Sequence, residues 1–182
     1  MLHRVACLGL IGVALVTGAC RSGARTPNEL KAVVMAREYG EAWLLNRLNQ
    51  HEDSAKVWVK ARSLALELGI TDPPAQTEWL EQEGRMASEL KAKHGDKIQA
   101  HFLAAGSLMR AWIGLKTGAD VAVASKEIQA SATHLEACGI PADVWTPLIT
   151  KVKDKPTAED VRKLLETIES HLINAGTGKA AS

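Results

Sequence analysis

The sequence predicts an all-α protein, an irregular helical bundle or a short array of α-hairpins with five to seven helices. Three observations predict it. Helix-start signals recur: Thr26-Pro27-Asn28-Glu29, Asp72-Pro73-Pro74, Asp96-Lys97-Ile98-Gln99 and Thr157-Ala158-Glu159-Asp160. In these a capping side chain precedes Pro at the first helical position, or an acid or amide three residues on. Glycines stand where helices should stop, at Gly69, Gly95, Gly118, Gly139 and Gly176, because glycine adopts φ > 0 beyond the final turn. Apolar residues recur at intervals of three and four, the spacing of one helix face, and strand signals are nearly absent.

The elements follow in order, at about 27–68, 73–93, 97–117, 119–137, 142–152 and 158–174. The first is ambiguous. One helix from Pro27 to Leu68 would be about 63 Å long. Leu30, Val33, Val34, Leu44 and Leu48 share a face, whereas Val57, Ala61, Leu64 and Leu68 point nearly opposite. The polar run 49–54 between them favours a turn, with one unbroken helix as the competing reading. Arg37 and Glu41, one turn apart on the first face, are spaced for an ion pair or for two solvated side chains. The second helix lies between Asp72-Pro73-Pro74 and Gly95. The third carries the stripe Ile98, Phe102, Ala105, Met109 and Trp112. In the fourth, Val121, Ile128, Ala132 and Leu135 recur, with Ser125 filling one place. The fifth follows Gly139, and the sixth carries Val161, Leu164, Leu165, Ile168 and Leu172. Each stripe requires another helix to pack on.

The first twenty residues read differently. One arginine, Arg4, precedes a 15-residue uncharged and mostly apolar run from Val5 to Ala19, and Cys20 follows. A basic start, a short apolar core and small residues before a cut site make a secretory signal peptide. A membrane-spanning helix needs about 20 apolar residues. The stretch Leu15-Val16-Thr17-Gly18-Ala19-Cys20 resembles the lipobox of bacterial lipoproteins. In that family the Cys thiol receives a diacylglycerol and the preceding peptide is removed. The resemblance implies lipid attachment at Cys20 and a place in the bacterial cell envelope. Arg21, rather than Asp, after the Cys implies the outer membrane, facing the periplasm. Cleavage after Ala19 without lipid and an uncleaved anchor are the rival readings. The expected organisation is therefore a signal peptide 1–19, a lipidated Cys and tether 20–26, one helical domain 27–174 and a disordered tail 175–182.

Without Arg4 the 22 basic and 21 acidic residues become 21 and 21, a formal net charge of zero. That balance makes a poor candidate for nucleic acid, which demands a basic face, and the charges are spread along the chain as solvated helix faces are. Cys7 falls in the signal, so a lipidated Cys20 leaves only Cys138 as a thiol. An unmodified Cys20 would leave a bridge to Cys138 open. Five tryptophans, Trp43, Trp58, Trp79, Trp112 and Trp145, stand against one Tyr and one Phe. Core packing accounts for them by default, with an apolar ligand pocket as the alternative.

The segment from Arg47 to Ala55, followed by Trp58 and Ala61, resembles the inter-helix turn of a tetratricopeptide repeat. Asn49, Gly84 and Gly118 are spaced by 35 and 34 residues, near that family's period. The resemblance implies stacked helical hairpins, against an ordinary irregular bundle.

Catalytic patterns are sparse. His134 and Cys138 lie four apart on one helix face, with Glu127 nearby, and a nitrogen and a thiolate suit Zn or Cu. Two ligands do not make a site, and a buried Cys before Gly139 explains the pair as well. His94 and His101 straddle Gly95. Glu-x-x-His and Cys-x-x-Cys-His are absent, against di-iron and covalent haem sites. The run 176–179 lacks the residues of a phosphate loop, and Ser107 reads as a small packing residue. The expectation is a non-catalytic lipoprotein without cofactor. It would be held to the membrane by its N-terminal lipid and act as an adaptor or assembly factor for another envelope protein. A periplasmic small-ligand or metal-binding lipoprotein is the alternative.

Overall fold

A computed structural model of the chain describes residues 27–152 and 155–176. Seven helices account for its regular structure: α1 Asn28–Arg47, α2 His51–Glu67, α3 Trp79–His94, α4 Asp96–Thr117, α5 Val121–Cys138, α6 Ala142–Val152 and α7 Ala158–Gly176. The all-α expectation holds, with the upper of the expected helix counts.

The predicted turn divides the first segment. Asn49 takes φ 59° between α1 and α2, a left-handed conformation that Asn tolerates better than most residues. Gly69, Gly95, Gly118 and Gly139 take φ between 71° and 86° just beyond their helices. Gly176 instead ends α7 from within and lies against the Pro27 ring.

Two helix starts depart from the sequence reading by one residue. Pro27, with ψ 143°, is the residue before α1 rather than its first, and Thr26 lies outside the described residues. Asp96 is the first residue of α4 behind Gly95, and its carboxylate pairs with Lys91 at 2.7 Å rather than capping. At Thr157 the reciprocal box forms. The Thr157 hydroxyl oxygen accepts from the Asp160 N–H at 3.2 Å, and Asp160 Oδ2 accepts from the Thr157 N–H at 3.3 Å. Asp120 caps α5 by accepting from the Ala122 N–H at 2.8 Å.

The helix expected over 73–93 is the main correction, because it starts only at Trp79. The preceding segment is an irregular strap along the groove between α2 and α3. The Leu68 carbonyl lies 2.8 Å from His94 Nε2, and the Gly69 carbonyl accepts from Lys93. Thr71 donates through its N–H to Glu89 at 3.1 Å, and the Asp72 carbonyl accepts from Arg85. The Pro74 carbonyl accepts from the Trp58 indole at 3.0 Å, and Gln76 Oε1 lies 2.8 Å from the Ser54 hydroxyl. The α3 partners thus run from His94 back to Arg85, and the α2 partners from Trp58 back to Ser54. The chain leaves α2 at one end of the bundle and begins α3 at the other. Consecutive prolines suit this course, since the residue before a proline is pushed out of the helical region.

Ion pairs set the helix directions. Lys31–Glu67 at 2.8 Å makes α2 antiparallel to α1. Glu29–Lys97 at 3.5 Å, with Gly40 against Met109, makes α1 and α4 parallel. Arg110 reaches Glu83 of α3 and Glu127 of α5, so both run against α4. Gly176 against Pro27, with Arg37–Glu169 at 3.2 Å near the middle of both helices, does the same for α7 and α1. One end of the molecule therefore holds Pro27, Gly95 and Gly176. The far end holds the α1–α2 turn, the start of α3 and the α4–α5 turn.

Helix α4 is the axis, packing on α1, α3, α5 and α7. Its small buried residues Ala100, Ala104, Ala105, Gly106, Ser107 and Ala111 let neighbours approach on several sides. At Gly40 an added Cβ would lie 2.8 Å from Met109 Cε and 3.0 Å from Met109 Cβ. Gly40→Val should therefore lower stability by about 1–3 kcal/mol through overpacking. The check is a lower urea midpoint with an unchanged slope; an unaltered midpoint would show the α1–α4 contact to be loose.

Candidate functional site

The far end concentrates what the core leaves uncovered. Of the six exposed large hydrophobics among the described residues, Leu48 (53%), Leu80 (36%), Val121 (42%) and Val123 (53%) stand here. They come from the α1–α2 turn, the first turn of α3 and the first turn of α5. The half-buried Trp43 and Trp112, near the C-termini of the parallel α1 and α4, lie toward the same end. Their indoles are covered by cations one turn on: Arg47 at 5.2 Å from the Trp43 ring centroid and Lys116 at 5.9 Å from that of Trp112. Trp43, Asn46, Arg47, Thr77, Leu80 and Glu81 line a shallow groove of about 290 Å³ between α1 and α3. An apolar floor of Trp43 and Leu80 with polar edges can take an apolar side chain but encloses no small molecule.

The tryptophans divide by role. Trp79 is fully buried and Trp145 nearly so, its indole donating to the Ile140 carbonyl at 3.1 Å. Trp58 stands at the strap, with Arg62 at 5.7 Å from its ring centroid. Core packing thus describes two of the five fully; the other three are half-buried and carry a cation.

Two ionic clusters hold the helices. In the first, Arg110 binds Glu83, Glu127 Oε2 at 2.9 Å and the Ser107 hydroxyl at 2.9 Å. Glu83 is buried, and its Oε1 has no partner among the described residues. That oxygen sits over Gly106, in space a side chain would fill. Burial pushes the Glu83 carboxyl above its ordinary value, against the pull of Arg110. In the second cluster Arg37 binds Glu38 at 2.8 Å and Glu169 at 3.2 Å. Of the two readings open for Arg37 and Glu41, neither describes them: Arg37 pairs with Glu38 and Glu169, and both Arg37 and Glu41 are half-buried. Desolvation raises the carboxyls of Glu41 and Glu169. Both clusters carry more carboxylates than guanidinium, so they join elements at a protonation-dependent cost.

His134 and Cys138 lie on α5 as the spacing required, but differ in setting. Cys138 is buried to 1% exposure, and burial pushes its thiol up to about 12. Desolvation lowers His134, with Arg110 adding to the shift. Glu127, the third group near this face, is bound to Arg110. Among the described residues no cluster of three or more His, Cys, Asp or Glu is arranged for a metal. His94 meets the Leu68 carbonyl of the strap, and His101 Nδ1 lies 2.7 Å from the Lys97 carbonyl of its own helix. Ser107 is a packing residue as read, and also a partner of Arg110. Gly84, one of the three positions that suggested a repeat period, lies inside α3 rather than at a turn. Cys20 and the run 177–179 lie outside the described residues.

Sequence reasoning did not assemble the far end or the Glu83–Arg110–Glu127 cluster. The only local trace of the former is the repeated spacing of Trp with a cation four residues on. Compared with known families, curated proteins and solved structures, the chain finds no match in any of the three.

Proposed function

We propose that the chain is a non-catalytic lipoprotein of the bacterial envelope, a helical adaptor or assembly factor that holds a protein partner near a membrane. The observation carrying this reading is the polarity of the molecule. The lipobox-like stretch ending in Cys20 lies seven residues before the body begins, and the body begins at the end opposite four of the six exposed large hydrophobics among the described residues. Seven residues reach at most about 25 Å when fully extended. The 20 residues of α1 span about 30 Å. A lipid on Cys20 would therefore hold one end at the bilayer and turn the far end toward whatever lies beyond. Where exposed apolar surface is concave and edged by polar side chains, as at the groove of Trp43 and Leu80, it offers a place for a partner side chain.

The anchor has a direct test. Cys20→Ser should abolish incorporation of a fatty-acid analogue, since the thioether to diacylglycerol requires the Cys sulfur. The protein should then accumulate as an uncleaved precursor or as a soluble periplasmic form. Unchanged labelling would overturn the anchored reading.

A further inference from the structure

The seam between α1 and α7 holds more carboxylates than cations. Arg37 of α1 binds Glu38 at 2.8 Å and Glu169 of α7 at 3.2 Å, and Glu41, one turn on, faces the same guanidinium. The Glu38 side chain is 10% exposed and that of Glu169 14%, so neither spreads its charge freely into water. Glu169 Oε1 and Arg37 Nε are buried without a partner among the described residues. Three carboxylates thus share one guanidinium, and one carboxylate oxygen between the two helices is unmet. A carboxyl so placed is disfavoured when ionised and tolerated when protonated.

Among the described residues, the neighbouring elements compensate only weakly. Lys60 of α2 and Arg162 of α7 act on Glu41 from exposed positions, and Arg162 is bound to Glu159 at 3.3 Å. Glu166 adds a further negative charge beside Glu169. On α4, Asp96 pairs with Lys91, Lys97 with Glu29, and Arg110 with Glu83 and Glu127. Lys116 lies over Trp112, and His101 turns to the Lys97 carbonyl. On α6, Asp143 and Lys151 are exposed, and Lys151 acts on Asp160.

We infer that the α1–α7 seam is a proton-operated latch: α7 is held most firmly when the seam has taken up a proton, and its hold weakens once Glu41 and Glu169 are both ionised. The latch depends on neither the lipid anchor nor the far end. Desolvation raises both carboxyls above their ordinary 4.5, against the pull of Arg37. A folded-state value above the unfolded one gives a contribution fully present below pH 4.5 and lost as pH rises through the folded-state value. Loosening α7 bares the stripe of Val161, Leu164, Leu165, Ile168 and Leu172, so the latch governs the exposure of an apolar helix face.

The test follows hydrogen exchange of the α7 amides in the full-length chain in neutral detergent, corrected for intrinsic rates. It is paired with a carbon-13 titration of the Glu169 carboxyl. At pH 8 the wild-type α7 amides should exchange about fivefold faster than those of Glu169→Gln, whose amide keeps the shape of the protonated acid. At pH 4 the two proteins should agree. The wild-type Glu169 carboxyl should titrate above 4.5, and Glu41→Gln should bring it down by removing a neighbouring negative charge. Equal or faster α7 exchange in Glu169→Gln at pH 8 would overturn the inference, because the Arg37–Glu169 ion pair would then be what fastens α7. A wild-type Glu169 titration at or below 4.5 would overturn it without recourse to any variant.

Discussion

Trp79→Ala should lower the stability of the protein by about 3–5 kcal/mol. A typical domain of this kind has only about 5–15 kcal/mol in all. Trp79 is fully buried and is the first residue of α3, where the strap ends. Removing it leaves a cavity at the point where the chain turns from an irregular course into a helix. Nothing adjacent can fill that space without moving the strap. The indole N–H of Trp79 has no partner among the described residues. Trp79→Phe should therefore lose much less, because it keeps most of the apolar bulk and removes an unsatisfied donor. Urea denaturation of the three proteins decides the matter. Equal midpoints for wild type and Trp79→Ala would mean that the start of α3 is not part of the cooperative core.

Arg110→Met should be comparably damaging at neutral pH, by about 3–5 kcal/mol, because it strands the buried Glu83 carboxylate rather than merely deleting a contact. The damage should depend on pH with a definite sign. Glu83 already sits above its ordinary 4.5, raised by burial and restrained by Arg110. Without the guanidinium it rises further. A folded-state value above the unfolded one means that the native state binds more protons in between. The contribution of Glu83 is then fully present below pH 4.5 and is lost as pH rises through its folded-state value. The variant should therefore be most impaired at pH 7 and approach the wild type near pH 4.5. A defect independent of pH would show that Arg110 acts by packing its stem and that Glu83 is indifferent to its charge.

Much of the helical framework is legible in the chain, for local reasons. Phe102, Met109 and Leu165 lie on stripes whose period is a property of the helix itself. Gly69, Gly95, Gly118 and Gly139 mark ends because each takes a left-handed φ that other residues adopt with difficulty. Asp72-Pro73-Pro74 misleads for the same reason that it attracts: it suits a helix start and equally suits an extended course. Which one prevails depends on where α2 ends relative to α3, a property of the whole bundle. Arg110 shows the limit again. Its partners Glu83 and Glu127 lie 27 and 17 residues away, so no spacing rule finds them. The His134–Cys138 spacing is visible in the sequence, but the burial that makes Cys138 a poor thiolate is not. The far end is assembled from two inter-helix turns and the start of α3, each ordinary by itself.

The position of the two ends of the body has a mechanical consequence. Pro27 and Gly176 touch, and α1 and α7 run antiparallel from that contact. A force between these two points would peel α7 from α1 one turn at a time, breaking few contacts at any moment. A force between Pro27 and the far end runs along the axes of α1 and α4 instead. It loads the interface around Gly40 and Met109 in shear, where many side chains must slip together. The molecule thus has a weak axis across its paired ends and a strong one along its length, and tension between an N-terminal tether and a far-end partner would fall on the strong one.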